Sequence, residues 1–444
     1  ELSLQLCGRS LPENPRKKDS DDHHFLRSYN PRRGTKLSHG PLFKVDDDFQ
    51  EACLDKENLI PMMEVNPQLT KDILLALLIN EPENVENPGS HNFKYNIYEP
   101  HQWFPPFYHR GPFLNFFKTA SKEAVSFVIT LTNFVTDEWK LEQQARREEA
   151  TFIVLDIPGI GEQEFYGDSR VYYWFRDIGN APHSLVSILM ALEKFLLDLI
   201  DEGKQPESYI TQLLENSHSL AVVGLLSSVG RYYPKLFLGV LKPLLAQYDL
   251  YKIESQLDYG AMGIEGHQMM GANLLDSTTW ELASKWNSMP HRKTSIKSVV
   301  LRLVFGSKEI SDMFKNIIIP RWIELNKQYN DQGYLDPFLV NTIAHVNSEN
   351  YVAYEDEHNV GLVYKEPEEV AQQLEPIRSV SAVDSDDFTF AFVQQQGLES
   401  NRKYEIKELE QIWKKIQNFS EQLEDDLFNH LNKRLSNIFA GIAI

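Results

Sequence analysis

Along the middle of the chain, apolar residues recur at the three-to-four spacing of amphipathic helices. Asn66 and Pro67 are typical of a helix start, and the apolar positions after them keep this spacing until Asn80. Ser121 is a possible cap for a second such stripe over 124–135, and the strongly charged 140–150 should project outward from it. A third stripe over 185–200 is so wide that its helix is predicted to lie between other helices.

Shorter helices are predicted to follow in quick succession, over 207–215, 219–229, 234–247, 277–287, 294–305 and 309–328. Short connections between such helices favour antiparallel neighbours. We therefore expect a mainly α fold class of antiparallel helical hairpins, stacked as a degenerate HEAT-like α-solenoid. An irregular helical bundle stays open as the alternative, because proline and leucine recur only loosely and match no repeat consensus.

One segment breaks the helical pattern. Residues 151–157 are β-branched and apolar, 158–161 are typical of a turn, and 165–176 alternate through Val171, Tyr173 and Phe175. This pattern predicts one inserted β-hairpin. The resulting organisation is an extended basic N-terminal arm, a first helical block with an aromatic and proline-rich connector, the β-hairpin insertion, a helical-repeat block, and an acidic linker with a C-terminal helix, at 1–60, 61–150, 151–180, 181–350 and 351–444.

Composition and charge indicate which general class of protein this is. The 444 residues include 64 acidic and 44 basic side chains, for a net charge of −20, and 42% hydrophobic residues exclude disorder throughout. The region 9–36 is basic, whereas 351–430 is strongly acidic. Two cysteines cannot form a disulfide framework, which favours a reducing, cytoplasmic location. No apolar run is long enough to predict a membrane span, and a first residue other than Met indicates a processed chain or an internal segment.

The sequence contains only incomplete matches to motifs for catalysis and metal binding. The segment 154–159 resembles the Asp-x-x-Gly switch of GTPases, but no Gly-Lys-Ser or Gly-Lys-Thr provides a phosphate cradle, so Asp156 stands alone. His-Glu-x-x-His, paired Cys-x-x-Cys and Gly-x-Ser-x-Gly are absent from the sequence. We therefore expect no catalytic residue, no metal site and no cofactor in this segment, which should not hydrolyse nucleotides by itself.

A nucleic-acid interface is the alternative function. Basic and aromatic side chains interleave in the N-terminal arm, and 291–293 form a second basic turn. The candidate nucleic-acid residues are Arg27, Tyr29, Arg32, Arg33 and Lys36. The net negative charge opposes a general affinity, so a local patch would have to carry the binding.

The connector at 98–117 is unusually rich in aromatic residues and proline. Its rings either plug a groove between helical blocks or form a surface for a protein partner, since contact energy concentrates in Trp, Tyr and Arg. The partner surface is expected on the connector, the neighbouring hairpin and the concave side of 182–247. The candidate partner-binding residues are Trp103, Phe107, Tyr108, Arg110, Arg170, Tyr172 and Trp174.

Four strings in this chain suggest a relationship to a known class. They lie at 103–106 with 110–114, at 167–174, at 187–194 and at 289–294. With these strings, residues 67–325 resemble a helical portion of large prokaryotic ATP-binding proteins of the STAND or related P-loop type, several of which are antiviral defence factors. The resemblance implies a non-catalytic recognition or scaffold region of a larger assembly. ATP and Mg²⁺ would then belong to an NTPase domain elsewhere in the parent protein or complex.

Overall fold

The structure is a computed structural model that describes residues 6–8, 45–80, 93–177, 181–258, 277–329, 335–355 and 360–375. The chain divides into two compact units, Glu1–Trp322 and Ile323–Ile444. The described residues are mainly helical, and a β-hairpin interrupts the helices where the sequence predicts it. The predicted mainly α fold class with an inserted hairpin is confirmed.

The first unit contains most of the helices in the described part of the chain. They are α1 (Asp47–Leu54), α2 (Ile60–Val65), α3 (Pro67–Leu78), α4 (Phe113–Thr119), α5 (Ser121–Ala145), α6 (Ser169–Tyr172), α7 (His183–Asp201), α8 (Glu207–Asn216), α9 (Leu220–Tyr232), α10 (Lys242–Ala246), α11 (Tyr248–Asp258), α12 (Ser277–Asn287), α13 (Ile296–Gly306), α14 (Lys308–Met313) and the start of α15 (Ile319–Tyr329). Short 3-10 helices cover His101–Trp103, Trp174–Arg176, Pro234–Leu238 and Pro290–Arg292.

Helix α7 is the centre of the first unit. Its side chains are buried on every face from Ser184 to Glu193 and again from Phe195 to Leu197. The helices α4, α5 and α9 and the 3-10 helix Trp174–Arg176 pack against it. The wide apolar face in the sequence therefore does place this helix between others, and its enclosure is typical of the irregular bundle that the sequence left open.

Local capping explains where several helices begin. The Asn66 side chain accepts a hydrogen bond from the Leu69 amide at 3.1 Å, as expected for the cap of α3. Ser121, expected to cap α5, is instead its first residue, and its hydroxyl lies 2.7 Å from the Tyr209 hydroxyl. The apolar stripe of α5 faces the core as predicted, because Ala124, Val128 and Leu131 are buried.

The inserted hairpin consists of the antiparallel strands β3 (Phe152–Ile157) and β4 (Gly161–Tyr166), preceded by the short pair β1 (Phe93–Lys94) and β2 (Ile97–Tyr98). The expectation that strand structure continues to residue 176 is wrong. The Asp168 side chain accepts hydrogen bonds from the amides of Arg170 and Val171 at 2.9 and 3.0 Å, which starts α6. The alternation from 165 onward therefore comes from buried helical turns and not from a strand.

Three other predicted boundaries change. The helix predicted over 219–229 continues through Gly230, where an added Cβ would come within 2.5 Å of the Phe237 ring. The helix predicted over 234–247 is split into a 3-10 helix and α10. The long helix predicted over 309–328 contains a π-helical turn, Phe314–Ile318, between α14 and α15.

The two ends of the predicted organisation also differ from expectation. The extended arm predicted over 1–60 cannot include α1, whose start is capped by Asp46. In the second unit, α16 (Pro337–Val346) and a 3-10 helix lead into a hairpin of β5 (Tyr351–Glu355) and β6 (Val360–Tyr364), where an acidic linker was expected. Val352 and Val363 lie opposite each other in this hairpin, and both are exposed. The C-terminal helix predicted after it lies outside the described residues.

Candidate functional site

The aromatic connector lies mainly in the core. Trp103 and Phe107 are buried, and the Trp103 ring meets the Phe113 ring edge-on at 5.1 Å between centroids. Gly111, at φ +67°, allows this approach, because a Cβ there would lie 2.6 Å from the Trp103 ring. The connector therefore fills a groove between helices, which is the first of the two alternatives that the sequence left open.

Two members of the connector reach the surface in part. Tyr108 is half-buried and packs against Phe107 and Trp286, with ring centroids 4.2 and 5.4 Å apart. Arg110 is also half-buried, and its Nε donates to the carbonyl oxygen of Pro105 at 3.3 Å. These contacts hold both side chains against the body of the protein.

The three candidates next to the hairpin have different surroundings. Arg170 is exposed, and its guanidinium forms an ion pair with Asp168 at 2.7 Å. Tyr172 and Trp174 are fully buried. Four of the seven candidate partner-binding residues, Trp103, Phe107, Tyr172 and Trp174, thus lie in the core, where a partner cannot reach them. This corrects the expectation that they form a contact surface.

The predicted concave surface over 182–247 is also absent from its main helices. Helix α7 is enclosed on all sides from Ser184 to Glu193, and every residue of α9 from Leu220 to Arg231 is buried. Over these ranges neither helix presents an open face to a partner.

The candidate nucleic-acid residues Arg27, Tyr29, Arg32, Arg33 and Lys36 lie outside the described residues. The second basic turn is described. The side chains of His291 and Arg292 are buried in this turn. They therefore do not form the solvent-facing basic patch that the sequence suggested. Both residues belong to a buried polar cluster.

One half of this buried cluster is built around Glu193 on α7. Its carboxylate accepts hydrogen bonds from the Ser228 hydroxyl of α9, at 2.7 Å, and from the Arg292 guanidinium. The Nε2 atom of His291 lies 3.8 Å from the same carboxylate. Arg292 also donates from Nη1 to the Asn287 side-chain oxygen at 2.9 Å. Glu193 therefore connects α7, α9 and the turn Pro290–Arg292.

Glu254 on α11 organises the other half. Its carboxylate accepts hydrogen bonds from the Tyr172 hydroxyl, the Arg231 guanidinium and the Ser227 hydroxyl, the last at 2.7 Å. The Ile296 amide, at the start of α13, donates to it at 2.5 Å. Four elements distant in sequence thus meet at one carboxylate, which makes Glu254 a structural junction.

Electrostatics inside the cluster keep Glu193 charged. Burial alone would raise the pKa of Glu193, but Arg292 and His291 outweigh it, and the pKa falls to about 2. Burial lowers the pKa of His291, although Glu193 opposes this change. An ionised carboxylate saturated by internal donors and closed to solvent cannot act as a general base or nucleophile toward an external substrate. The cluster is therefore a framework that fixes the helices.

The β3–β4 hairpin exposes apolar and acidic side chains together. Phe152, Val154 and Ile160 are 47%, 37% and 45% exposed. Acidic side chains stand among them, because Asp156 lies directly opposite Glu162 and Val154 lies opposite Glu164. We call this surface the outer hairpin face; it consists of the exposed strand residues Phe152, Val154, Asp156, Glu162 and Glu164, and of Ile160 in the turn between the strands.

The body of the protein holds this hairpin firmly. Its inner face buries Ile153, Leu155 and Phe165. The Tyr166 amide donates to the His218 carbonyl oxygen at 2.7 Å, and the Gln163 side chain donates to the Ser217 carbonyl oxygen at 2.8 Å. The outer hairpin face is therefore a fixed surface carried on a rigid support.

The structure gives the surroundings of two residues that the sequence motifs bring into question, Asp156 and Cys53. Asp156 is exposed on β3. Burial raises the pKa of the Cys53 thiol to about 11, so it is protonated at neutral pH. Within the described ranges, no three His, Cys, Asp or Glu side chains are grouped so as to hold a metal ion. None of the helices described is both long and apolar enough to cross a membrane.

Comparison with known proteins gives no family for this chain. No family model matches it, and no curated protein matches it. The function of the chain is therefore inferred from its own geometry.

Sequence reasoning missed the buried cluster, although one signal was present. Glu193 lies four residues after Leu189 and three before Leu196, so it belongs to the apolar stripe of its helix. Glu254 likewise follows the buried pair Leu250 and Tyr251. A charged residue on an apolar stripe indicates a buried partner, but the partner, Arg292 for Glu193, is 99 positions away.

Proposed function

We propose that this chain is a non-catalytic recognition and scaffold region that contacts a protein partner through the outer hairpin face. The observation that carries the proposal is the exposure of three large apolar side chains, Phe152, Val154 and Ile160, on one anchored hairpin. Single exposed apolar residues are normal, whereas a group of them on one rigid face is typical of an interaction site.

The charges on this face indicate the chemistry of the partner. Asp156 and Glu162 lie opposite each other, and like charges in this position cost stability. Arg321 lies 4.0 Å from Glu162. Among the described residues, no other ion pair compensates the acidic side chains of this face. A partner segment that combines apolar side chains with Lys or Arg would cover the apolar residues and relieve the repulsion.

The parent class is a further proposal. The resemblance to prokaryotic STAND or related P-loop proteins supports an antiviral assembly in which ATP and Mg²⁺ are bound outside this segment. A P-loop in the sequence that adjoins this segment in its parent protein would support this class, and a parent protein and complex without a P-loop would exclude it.

A photo-crosslinking residue placed at Phe152 tests the partner proposal. We expect one protein adduct at Phe152 and none of that mass when the same residue replaces Phe305, a matched control that is 40% exposed on α13. The captured partner is then purified and tested for binding at low and physiological salt. A protein contact on this face should weaken modestly, whereas a nucleic-acid contact through phosphates should weaken steeply.

An adduct that forms equally at both positions, or one that consists of nucleic acid, would reject the proposal. The second result would favour the alternative function through the basic N-terminal arm.

A further inference from the structure

Three arginine side chains meet at the turn Pro290–Arg292, in which His291 and Arg292 are buried. The Nη2 atom of Arg176 donates to the carbonyl oxygen of Arg292 at 2.7 Å. The Nε atom of Arg231 donates to the carbonyl oxygen of His291 at 3.0 Å. With Arg292 itself, three guanidinium groups are thus held against one turn, and all three are buried. We call Arg176, Arg231 and Arg292 the arginine cluster.

Two carboxylates, those of Glu193 and Glu254, form ion pairs with the arginine cluster, and one of the three arginines therefore has no carboxylate partner within the described ranges. Glu193 pairs with Arg292, and Glu254 pairs with Arg231. In the described part of the chain, no carboxylate forms an ion pair with Arg176. Burial and the two other arginines lower the pKa of Arg176 to about 9, as expected for a buried cation that lacks compensation.

The neighbouring titratable groups do not supply the missing negative charge. Asp177 forms no ion pair with Arg176 among the described residues, and no cation opposes the rise that burial gives to its pKa, to about 7. Burial lowers the pKa of His291, which favours the neutral ring. The arginine cluster with its two glutamates therefore carries one excess positive charge.

The same side chains also hold unused hydrogen-bond donors. Among the described residues, Arg176 Nη1, Arg231 Nη2 and Arg292 Nε are buried and have no acceptor. Buried donors of this kind are normally satisfied. Water could accept from these atoms, but an anion that accepts from Arg176 Nη1 would also compensate the excess charge.

We propose that the arginine cluster binds one small monovalent anion, of the size of chloride, next to Arg176. The near-complete burial of the three guanidinium groups excludes a large organic ligand. Arg176 is the most accessible of the three, at 8% exposed, and provides the route of entry.

Thermal unfolding of the full chain tests this site, with chloride as the probe. Chloride replaces gluconate at constant pH and ionic strength, so general screening stays the same. An anion released on unfolding stabilises the folded chain by mass action. We expect Tm to rise by about 2 °C or more over a 100-fold increase in chloride. An unchanged Tm would overturn the proposal without any variant.

Substitutions then locate the site. Arg176→Met removes the uncompensated charge and should abolish the chloride dependence. Arg176→Lys keeps the charge with fewer donors and should shift the dependence to higher chloride, which provides a test if Arg176→Met does not fold. Arg146→Met, a control at an exposed arginine paired with Glu142, should respond like the wild type. A full response in Arg176→Met or an absent response in Arg146→Met would overturn the assignment.

Discussion

Glu193 and Arg292 form an ion pair in the core of the first unit, although 99 positions separate them in the sequence. The pair joins the central helix α7 to the turn before α13. Because both groups are removed from water, each depends on the other for compensation of its charge. This mutual dependence leads to the first prediction.

Glu193→Gln should destabilise the chain by about 3–5 kcal/mol, because it leaves Arg292 charged and buried without its carboxylate. Urea unfolding followed by tryptophan fluorescence measures the change. Glu202→Gln is the matched control, since Glu202 pairs with Lys204 on the surface, and its stability should stay close to that of the wild type.

The pH dependence of the same variant provides a check on its cause. The pKa of Glu193 is about 2 in the folded chain and near 4.5 in the unfolded chain. Its contribution to stability is therefore present above pH 4.5 and is lost as the pH falls toward 2. The difference between wild type and Glu193→Gln should shrink across this range. A constant difference would show that the ion pair is not the cause.

Asp177→Asn should stabilise the chain at high pH. Burial raises the pKa of Asp177 to about 7 from an unfolded value near 3.8, so the folded state favours the protonated form. This contribution is fully present below pH 3.8 and is lost as the pH rises through 7. Asn retains the left-handed backbone at φ 60° and cannot ionise.

The measurement is the stability of Asp177→Asn relative to wild type at pH 5 and pH 8. The gain should be larger at pH 8, while Asp156→Asn on the exposed hairpin should show no such trend. Equal gains at both pH values would contradict the account.

Gly224→Ala should destabilise the chain by about 3 kcal/mol, the upper end of the cost of overpacking. A Cβ at Gly224 would lie 2.1 Å from the carbonyl oxygen of Tyr172, a backbone atom at the buried end of α6. Gly306→Ala at the end of α13 is the control, because nothing lies within 4 Å of its Cβ position. It should leave stability unchanged or slightly raised. Similar urea midpoints for the two variants would disprove the close contact.

Trp103→Ala should lower stability by about 3 kcal/mol or more, as is usual for a large aromatic side chain removed from a core. The Trp103 ring is buried against Phe113. Thermal melts should therefore show a large fall in Tm. A Tm close to that of the wild type would contradict a core position for Trp103 and would favour a surface position.

The sequence predicted the helices well where local features, such as a cap residue or an apolar stripe, determine the structure. The Asn66 cap and the apolar stripe of α5 act within a few residues of the chain, and both are observed. The segment after Tyr166 was mispredicted because alternating apolar residues there also fit a buried helical turn that Asp168 caps. Periodicity alone cannot separate these two structures over so few residues.

The candidate surface was harder to predict for a different reason. Trp103 and Tyr172 belong to residue types that favour interfaces, but the same types fill cores. Their burial depends on contacts with Phe113 and Glu254, which are set by tertiary packing. Phe152 and Val154 alternate along β3 with the buried Ile153 and Leu155. Because all four residues are apolar, the sequence does not show which face of the strand is exposed; the packing of the strand on the rest of the protein decides this.

The most direct test of the proposed recognition function compares Phe152→Ser with Phe305→Ser. The dissociation constant of the captured partner and the Tm are measured for both variants and the wild type. We predict that Phe152→Ser weakens binding by roughly 30-fold, equivalent to about 2 kcal/mol, with Tm nearly unchanged. Phe305→Ser should leave binding unchanged. Unchanged affinity in Phe152→Ser, or an equal loss in both variants, would contradict the assignment of the outer hairpin face.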